Sequence, residues 1–391
     1  MSDLPVVEAS SSTRPTPSAL VRGGLRVDRI RTTRLESWEA LPDLEPAWAD
    51  LLHRSPSHSV FQTFPWHVCW WRAFGGPHKL LVILGYLDSR LVGIAPMMVT
   101  REDGLLGRIR KRICFIGSTN GASDYCDFII DPGVPEALDA LLDEIGKHSR
   151  PADRLYLSHF PSRSANHARV LECFASRGVK TTVEVEDEAP VRIMGDAKED
   201  LKVANKSKLK GYANYFKKTG NLQFYRCKSE AEVMGYLDIF FEQHKARWTQ
   251  LGPASQFLDP AQQTFYRDLV RNFVPHGWLR FDVVVFNGTP LAFHFGFEYR
   301  NRLIYYKPTF DVEFASRSPG AVLLKYLLED AIERNLEEFD FTVGSEPYKY
   351  RYANKIRFNH RLIVFNSIGD YWIYRCLSRS KRMLKSILGR K

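Results

Sequence analysis

Apolar positions along the chain set the first expectations. Trp38, Leu41, Leu44, Trp48, Leu51 and Leu52 recur at helical intervals and predict a helix from about Trp38 to His53. A second, shorter helix is predicted through Trp66, Cys69, Trp70 and Phe74. The pattern then turns to strands. Lys79 to Leu87 and Leu91 to Val99 flank the turn Asp88-Ser89-Arg90, and short apolar segments follow at Ile113 to Ile116 and Phe128 to Ile130. A helix at Glu136 to His148, a strand at Arg154 to Leu157 and a helix at Asn166 to Arg177 come next.

The second half repeats that order. It opens on a long Lys-rich helix from about Lys198 to Lys218, then helices at Glu230 to Trp248 and Pro260 to Phe273. Strands Trp278 to Phe286 and Leu291 to Tyr299 flank Asn287-Gly288, a strong hairpin signal, and Leu303 to Lys307 adds a third. A helix from Gly320 to Asn335, a strand at Glu338 to Thr342, a polar loop at Gly344 to Lys349 and a strand at Arg361 to Phe365 complete it. Laying LVILGYLDSRLVGIAP over FDVVVFNGTPLAFHFG aligns the two hairpins, about half the chain apart, and points to a structural duplication.

A chain of 391 residues can bury two cores, since single cores stop growing near ~250 residues. The expected division is a flexible leader at 1–33, a first unit at 34–190, a second at 191–368 and a basic tail at 369–391. The opening MSDLPVVEASSSTRPTPSAL has no apolar stretch of the kind a secretory signal carries. The longest apolar run is about Leu80 to Leu84, far short of the ~20 residues a spanning helix needs. A cytoplasmic location without a transmembrane helix is therefore expected.

Six cysteines, Cys69, Cys114, Cys126, Cys173, Cys227 and Cys376, contain no CxxC pair, so zinc, dithiol and disulfide chemistry are not expected, nor any other bound metal. A net charge of +10 favours anionic partners: nucleotide phosphates, acidic polysaccharide, nucleic acid or a lipid surface.

The segment Ser316-Arg317-Ser318-Pro319-Gly320-Ala321 falls between a strand meander and a predicted helix. Free backbone N–H groups at such a helix start can meet phosphate, Arg317 adds a charge and Gly320 permits close approach. Ser318 and Pro319 would serve equally well simply to start the helix. The first-half counterpart, Asp131-Pro132-Gly133-Val134-Pro135, has an acid and no base, which places a donor site in the second half.

The runs GTPLAFHFGFEY, YYKPTFD, SPGAVLLKYLLEDAIERN and FDFTVGSEPYKYRYA resemble the acetyltransferase domain of CelD-like proteins of the GNAT superfamily, and FQTFPWHVCWWRAFG, DSRLVGIAP, SDYCDFII and HKARWTQLGPASQFLDP agree. These proteins are associated with cellulose or exopolysaccharide production and are similar to the Fem-type aminoacyl transferases of peptidoglycan. The likeness covers about Leu35 to Phe365, and departs from the superfamily's phosphate signature at Val322, where a small residue is usual. It implies an α/β (α+β) fold of tandem GNAT-type domains, each a mixed, mostly antiparallel sheet flanked by helices. It also implies acyl-CoA as co-substrate with no tightly bound cofactor, and a saccharide or cell-envelope precursor as acceptor.

Direct transfer of this kind requires a general base at the nucleophile and an acid at the departing sulfur. His294 in a strand and Glu346 in the loop after the strand Glu338 to Thr342 are the candidate bases; Tyr305, Tyr306 and Tyr348 are candidate acids. Lys349, with Arg317, Ser318, Gly320 and Ala321, is expected on the donor, and Asp124, Tyr125, Asp127, Asp311 and Tyr348 on the acceptor. Each also has an ordinary structural use as a turn, cap or packing residue.

The Lys-rich helix, with Lys198, Lys202, Lys206, Lys208, Lys210, Lys217 and Lys218, is either a solvated face or a rail for a polyanion. An aminoacyl-tRNA donor is thus a second reading, and a non-catalytic accessory module of polysaccharide synthesis a third; DNA is not implied. The tail sets Ile373, Leu377, Leu384 and Leu388 among Arg375, Arg379, Lys381, Arg382 and Lys385. It suits peripheral attachment to the inner face of an anionic membrane, or packing onto the body of the protein.

Overall fold

The computed structural model describes residues 30–35, 37–40, 44–103, 109–252 and 254–388. The expected leader up to residue 29 and Leu41 of the first predicted helix lie outside them, as do the side chains of Lys381, Arg382, Lys385, Leu384 and Leu388.

The first half runs β1 (Ile30–Arg34), α1 (Leu44–Arg54), α2 (Phe64–Phe74), β2 (Lys79–Leu87), β3 (Arg90–Asp103), β4 (Ile109–Phe115), β5 (Ile129–Ile130), α3 (Ala137–Lys147), β6 (Arg154–Pro161), α4 (Ala165–Ser176) and β7 (Lys180–Ile193). The second runs α5 (Ala197–Ala204), α6 (Ser207–Thr219), β8 (Leu222–Cys227), α7 (Glu230–Leu251), α8 (Pro260–Phe273), β9 (Leu279–Phe286), β10 (Thr289–Tyr299), β11 (Arg302–Phe310), α9 (Pro319–Glu333), β12 (Glu338–Asp340), α10 (Pro347–Tyr352), β13 (Lys355–Phe365) and α11 (Ile368–Leu388).

All the strands join one sheet in the order β1-β2-β3-β4-β6-β13-β7-β12-β11-β10-β9-β8, with β5 paired to β3. Pairing is antiparallel except at β4·β6 and β11·β12. Each half thus builds a meander that ends on one parallel pair, and the two then exchange their last strands. β13 leaves the second half to pair with β6, while β7 leaves the first half to pair with β12, and the two travelling strands pair with each other. The fold is a mixed α/β arrangement, with a large, mostly antiparallel sheet flanked by helices. The expected division at 190/191 falls inside β7.

Helices cover both faces of the sheet and define three cores. One packs α3 and α4 under the first meander, through Leu138, Leu141, Val170 and Phe174. A second packs α6 and α9 under the second meander, through Phe216, Leu323 and Leu327. The third joins the halves: Trp66 of α2 meets Phe265 and Phe273 of α8 and Phe297 of β10, at ring separations of 5.3, 6.1 and 5.7 Å. Its indole donates to Ser123 Oγ at 2.8 Å, so this large buried ring leaves no orphan N–H.

Three local outcomes differ from the sequence expectation. The Lys-rich helix is two helices, because Asn205 ends α5 with its backbone N–H on Leu201 O and α6 starts again at Ser207. The predicted loop at Gly344 to Lys349 begins a helix at Pro347, whose ring suits a first turn. β1, β7 and β8 were not anticipated. β7 reads as polar because Glu184, Glu186 and Glu188 alternate with its apolar residues.

Candidate active site

β11 and β12 are paired over only three residues, Arg302↔Glu338, Leu303↔Phe339 and Ile304↔Asp340. Thr342 then adopts φ 58°, and the chain after β12 turns to β7 instead: Phe341 N donates to Pro190 O at 3.1 Å and Gly344 N to Glu188 O at 2.9 Å. β11 continues to Phe310, so a wedge opens between the two strands at their C-terminal ends. Ligands of open sheets enter where parallel strands end.

A bulge in β11 shapes the wall of this wedge. Phe295 faces Lys307 and Phe297 faces Ile304, so Tyr305 and Tyr306 together oppose Gly296. Tyr305 stacks on His294 with ring centres 5.2 Å apart, whereas Tyr306 points to the other face and donates to Ala122 O at 2.6 Å. Gly296 has to be glycine: an added Cβ would lie 2.2 Å from His294 Nε2 and 2.3 Å from Ile304 O.

The first half has the same three-residue parallel pairing, at β4 and β6. Its wedge is closed by its own chain. Cys126 N donates to His159 O at 2.9 Å, and Phe128 lies 5.1 Å from Phe115 and 6.1 Å from Phe160, ring to ring. The loop equivalent to the expected phosphate site is also occupied, since Asp131 accepts from Gly133 N at 2.9 Å and pairs with Arg54 and Arg90.

Several predicted residues meet at the second-half wedge. Lys349 donates to Val343 O at 2.7 Å and pairs with Glu346 at 3.1 Å. Glu346 itself is exposed. The Tyr305 phenol feels the charges of Tyr348, Arg247 and Glu346, and burial holds it well above the ordinary phenol value; burial raises Tyr348 likewise. Asp124 reaches the same cluster from the first half. Burial pushes its carboxyl up, against the pull of Lys307, His159 and Lys349.

Lys307 was missed by sequence reasoning. Its ammonium is pushed down, by burial first and by Lys349, while Asp124 and Glu346 act the other way. The signal was present: a lone Lys in the apolar run Ile304 to Phe310 is an expensive residue to place mid-strand unless it has a task.

Tyr125 and Asp127 face a different space, a cavity of ≈ 260 Å³ between the halves that Asp340, Arg163, Arg302, Arg357 and His58 also line. Asp127 accepts from Ser164 Oγ at 2.6 Å, Asn166 Nδ2 at 2.9 Å and its neighbour Phe128 N at 2.7 Å, yet burial lifts its carboxyl to about 7. Asp340 is lifted to about 6, by burial and then by Glu338. Glu338 is held by Arg357 through two bonds of 2.6 and 2.5 Å.

The remaining candidates lie apart. His294 is wholly enclosed, bonded through Nδ1 to Asp282 Oδ2 at 3.1 Å, with Nε2 turned to the Ile304 carbonyl without good hydrogen-bond geometry. It reaches the wedge only through Tyr305. Asp311 accepts from Glu313 N at 3.0 Å and caps the turn before α9. Ser318 adopts the left-handed conformation at φ 52° and Ala321 N is bonded to Ser318 O, so Gly320 offers the available N–H; Arg317 is exposed, 4.3 Å above the Tyr215 ring. Among the described residues, His159, Glu186 and Asp187 bring three potential metal-binding atoms within 4.8 Å, but a His159–Asp187 bond of 2.7 Å and the Arg361–Glu186 pair already satisfy them.

The class of protein that this architecture defines is the GNAT-type acyltransferase fold. Residues 204–350 match a family model described as an acetyltransferase (GNAT) domain, a span that includes the wedge. The structure of FemX is similar to this chain with a TM-score of 0.58 at 11% identity, covering 85% of this chain and 96% of that one. A conserved protein of unknown function from Bacteroides thetaiotaomicron VPI-5482 has a TM-score of 0.55 at 12% identity, covering 86% of this chain and 100% of its own. No curated protein sequence matches the chain. No helix among the described residues is long and apolar enough to cross a membrane.

Proposed function

We propose that this chain is an acyltransferase that moves an acyl group, acetyl in the simplest case, from acyl-CoA to an amine or hydroxyl of a saccharide or cell-envelope precursor. The donor would lie in the second-half wedge with its phosphates toward Arg317 and Gly320, and the first half would supply the acceptor side. The observation that carries this reading is the contrast between the two parallel pairs: beyond its three paired residues the first is bridged by Cys126 and filled by Phe128, whereas β11 and β12 part after Ile304↔Asp340 with ionisable groups gathered where they diverge.

The acceptor atom attacks the thioester carbonyl, the C–S bond breaks, and the thiolate collects a proton while the nucleophile loses one. Lys307 would stabilise the oxyanion as it forms, Glu346 would receive the acceptor's proton, and Tyr305 or Tyr348 would offer O–H to sulfur. The raised phenols keep their protons through neutral pH, which suits donation. His294 supports Tyr305 from behind as a positioning residue.

Calorimetric titration with acetyl-CoA tests the reading. Micromolar binding, weakened tenfold or more by Arg317→Glu, is expected; absence of binding would overturn it. The second reading, an aminoacyl-tRNA donor, rests on the likeness to FemX and on Lys198, Lys208, Lys210 and Lys218 of α5 and α6, which are exposed and make no ion pair among the described residues. Activity abolished by ribonuclease would favour it. We also assign α11 to peripheral contact with an anionic membrane, through exposed Trp372, Ile373 and Leu377 beside Arg375 and Arg379.

A further inference from the structure

The cavity between the halves holds more positive charge than the fold needs. Arg163 follows β6, Arg302 opens β11 and Arg357 lies in β13, so three distant segments deliver a guanidinium each to one space. Arg357 is engaged by Glu338. The guanidinium groups of Arg163 and Arg302 make no hydrogen bond, ion pair or ring contact among the described residues. Their charges instead face one another: Arg163 feels Arg357 and Arg302 as well as Glu338 and Asp340, and His58 feels Arg300, Arg302 and Arg163. His58 is pushed down to about 4, by burial first and then by those arginines, so it stays neutral and leaves its buried Nδ1 without a partner.

Two unpaired guanidiniums converging on a cavity of ≈ 260 Å³ are a poor way to stabilise a fold and a good way to hold a planar or tetrahedral oxyanion. The two carboxyls of the cavity do not answer them. Asp127 is bonded to Ser164, Asn166 and Phe128, and Asp340 to Tyr125 and Thr342, with neither in an ion pair with Arg163 or Arg302.

We infer that the cavity is the acceptor pocket and that it selects acceptors bearing an oxyanion, the phosphate of a sugar phosphate or the carboxylate of an acidic sugar, gripped by Arg163 and Arg302. This rests on the acyltransferase reading for the word acceptor, but anion binding itself does not. Asp340 and Tyr125 form the wall shared with the donor side, because Tyr125 is the sequence neighbour of Asp124 and Asp340 lies two residues before Thr342. An anion held at the arginines would therefore place the rest of a small acceptor toward the wedge.

The test is calorimetry of the full chain with glucose 6-phosphate, glucuronate and glucose at one fixed salt concentration, for wild type, Arg163→Gln and Arg302→Gln. At least one anion should bind tenfold or more tighter than glucose, and each substitution should weaken it at least tenfold; the arm that binds distinguishes phosphate from carboxylate. Because each substitution relieves like-charge repulsion, neither variant should melt below wild type. Acetyl-CoA titrated into the same variants should bind as in wild type. If neither anion exceeds glucose, or both variants bind the anion as wild type does, the inference is wrong. If anions bind as expected and acetyl-CoA binds to nothing, the transferase reading fails and the anion site stands.

Discussion

Tyr125 of the first half donates its phenol hydrogen to Asp340 of β12 at 2.8 Å, across 215 residues of chain. The bond joins the halves at the wall between the cavity and the wedge, and it serves a carboxyl that burial has lifted to about 6.

Tyr125→Phe should therefore destabilise the protein in a pH-dependent way. The folded value of Asp340 lies above its ordinary 3.8, so its stability contribution is intact at low pH and is lost as pH rises through about 6. The phenol offsets that loss by stabilising the ionised form. Urea unfolding should show a cost of about 1–2 kcal/mol at pH 8 and a smaller one at pH 5; equal costs at both would refute the assignment.

Arg280 is wholly buried and bonded to Asp282 at 2.8 Å, with Glu298 at 3.3 Å. Arg280→Met would strand Asp282, which also anchors His294. A loss of about 3–5 kcal/mol in urea unfolding is expected. Asp282→Asn alone should loosen His294, and through it the Tyr305 wall, so acyl transfer should slow with little change in acetyl-CoA affinity.

Acid should unfold the protein through its neutral histidines. His67 is enclosed between Trp38 and Trp48, with both ring nitrogens unpartnered, and burial lowers it to about 3; His244 is likewise lowered to about 3 and His167 to about 4. Unfolding lets each take up a proton, so stability is full above pH 6.5 and falls as pH drops below it. His67→Leu should reduce the slope of stability against pH between 4 and 6 by about 1.4 kcal/mol per unit, one proton's worth. An unchanged slope would show that His67 does not titrate on unfolding.

The start of α11 is fastened to the body, since Asp370 accepts from Arg154 at 2.6 Å and from Arg110 at 3.0 Å, while Trp372 is 56% and Leu377 49% exposed. Vesicles rich in phosphatidylglycerol should pull the protein down on centrifugation where phosphatidylcholine vesicles do not. Trp372→Ser with Leu377→Ser should abolish this and leave the melting temperature unchanged.

Elements with a dominant period were legible in the sequence: α8 falls on its predicted span and the two hairpins where the alternation put them. The reason is local, since period and turn chemistry alone specify them. β7 was not legible, because its acids answer to Arg361 and to the backbone of His159 rather than to any near neighbour. The wedge cluster was partly legible, through Tyr305, Glu346, Tyr348, Lys349 and Asp124. The arginine cavity was not, since Arg163, Arg302 and Arg357 are each ordinary in their own stretch and acquire meaning only when three distant segments bring them together.

The exchange of β7 and β13 also bears on how the protein is made. β6 waits for β13 as its neighbour, so a ribosome that has released residues 30–193 has produced an N-terminal half with an open sheet edge. That edge stays open until some 170 further residues have been added, at roughly 5–20 residues per second. The nascent chain thus passes through a period of seconds to tens of seconds in which its own unfinished sheet could recruit a foreign strand, and the acids alternating along β7 are suitable guards against that outcome.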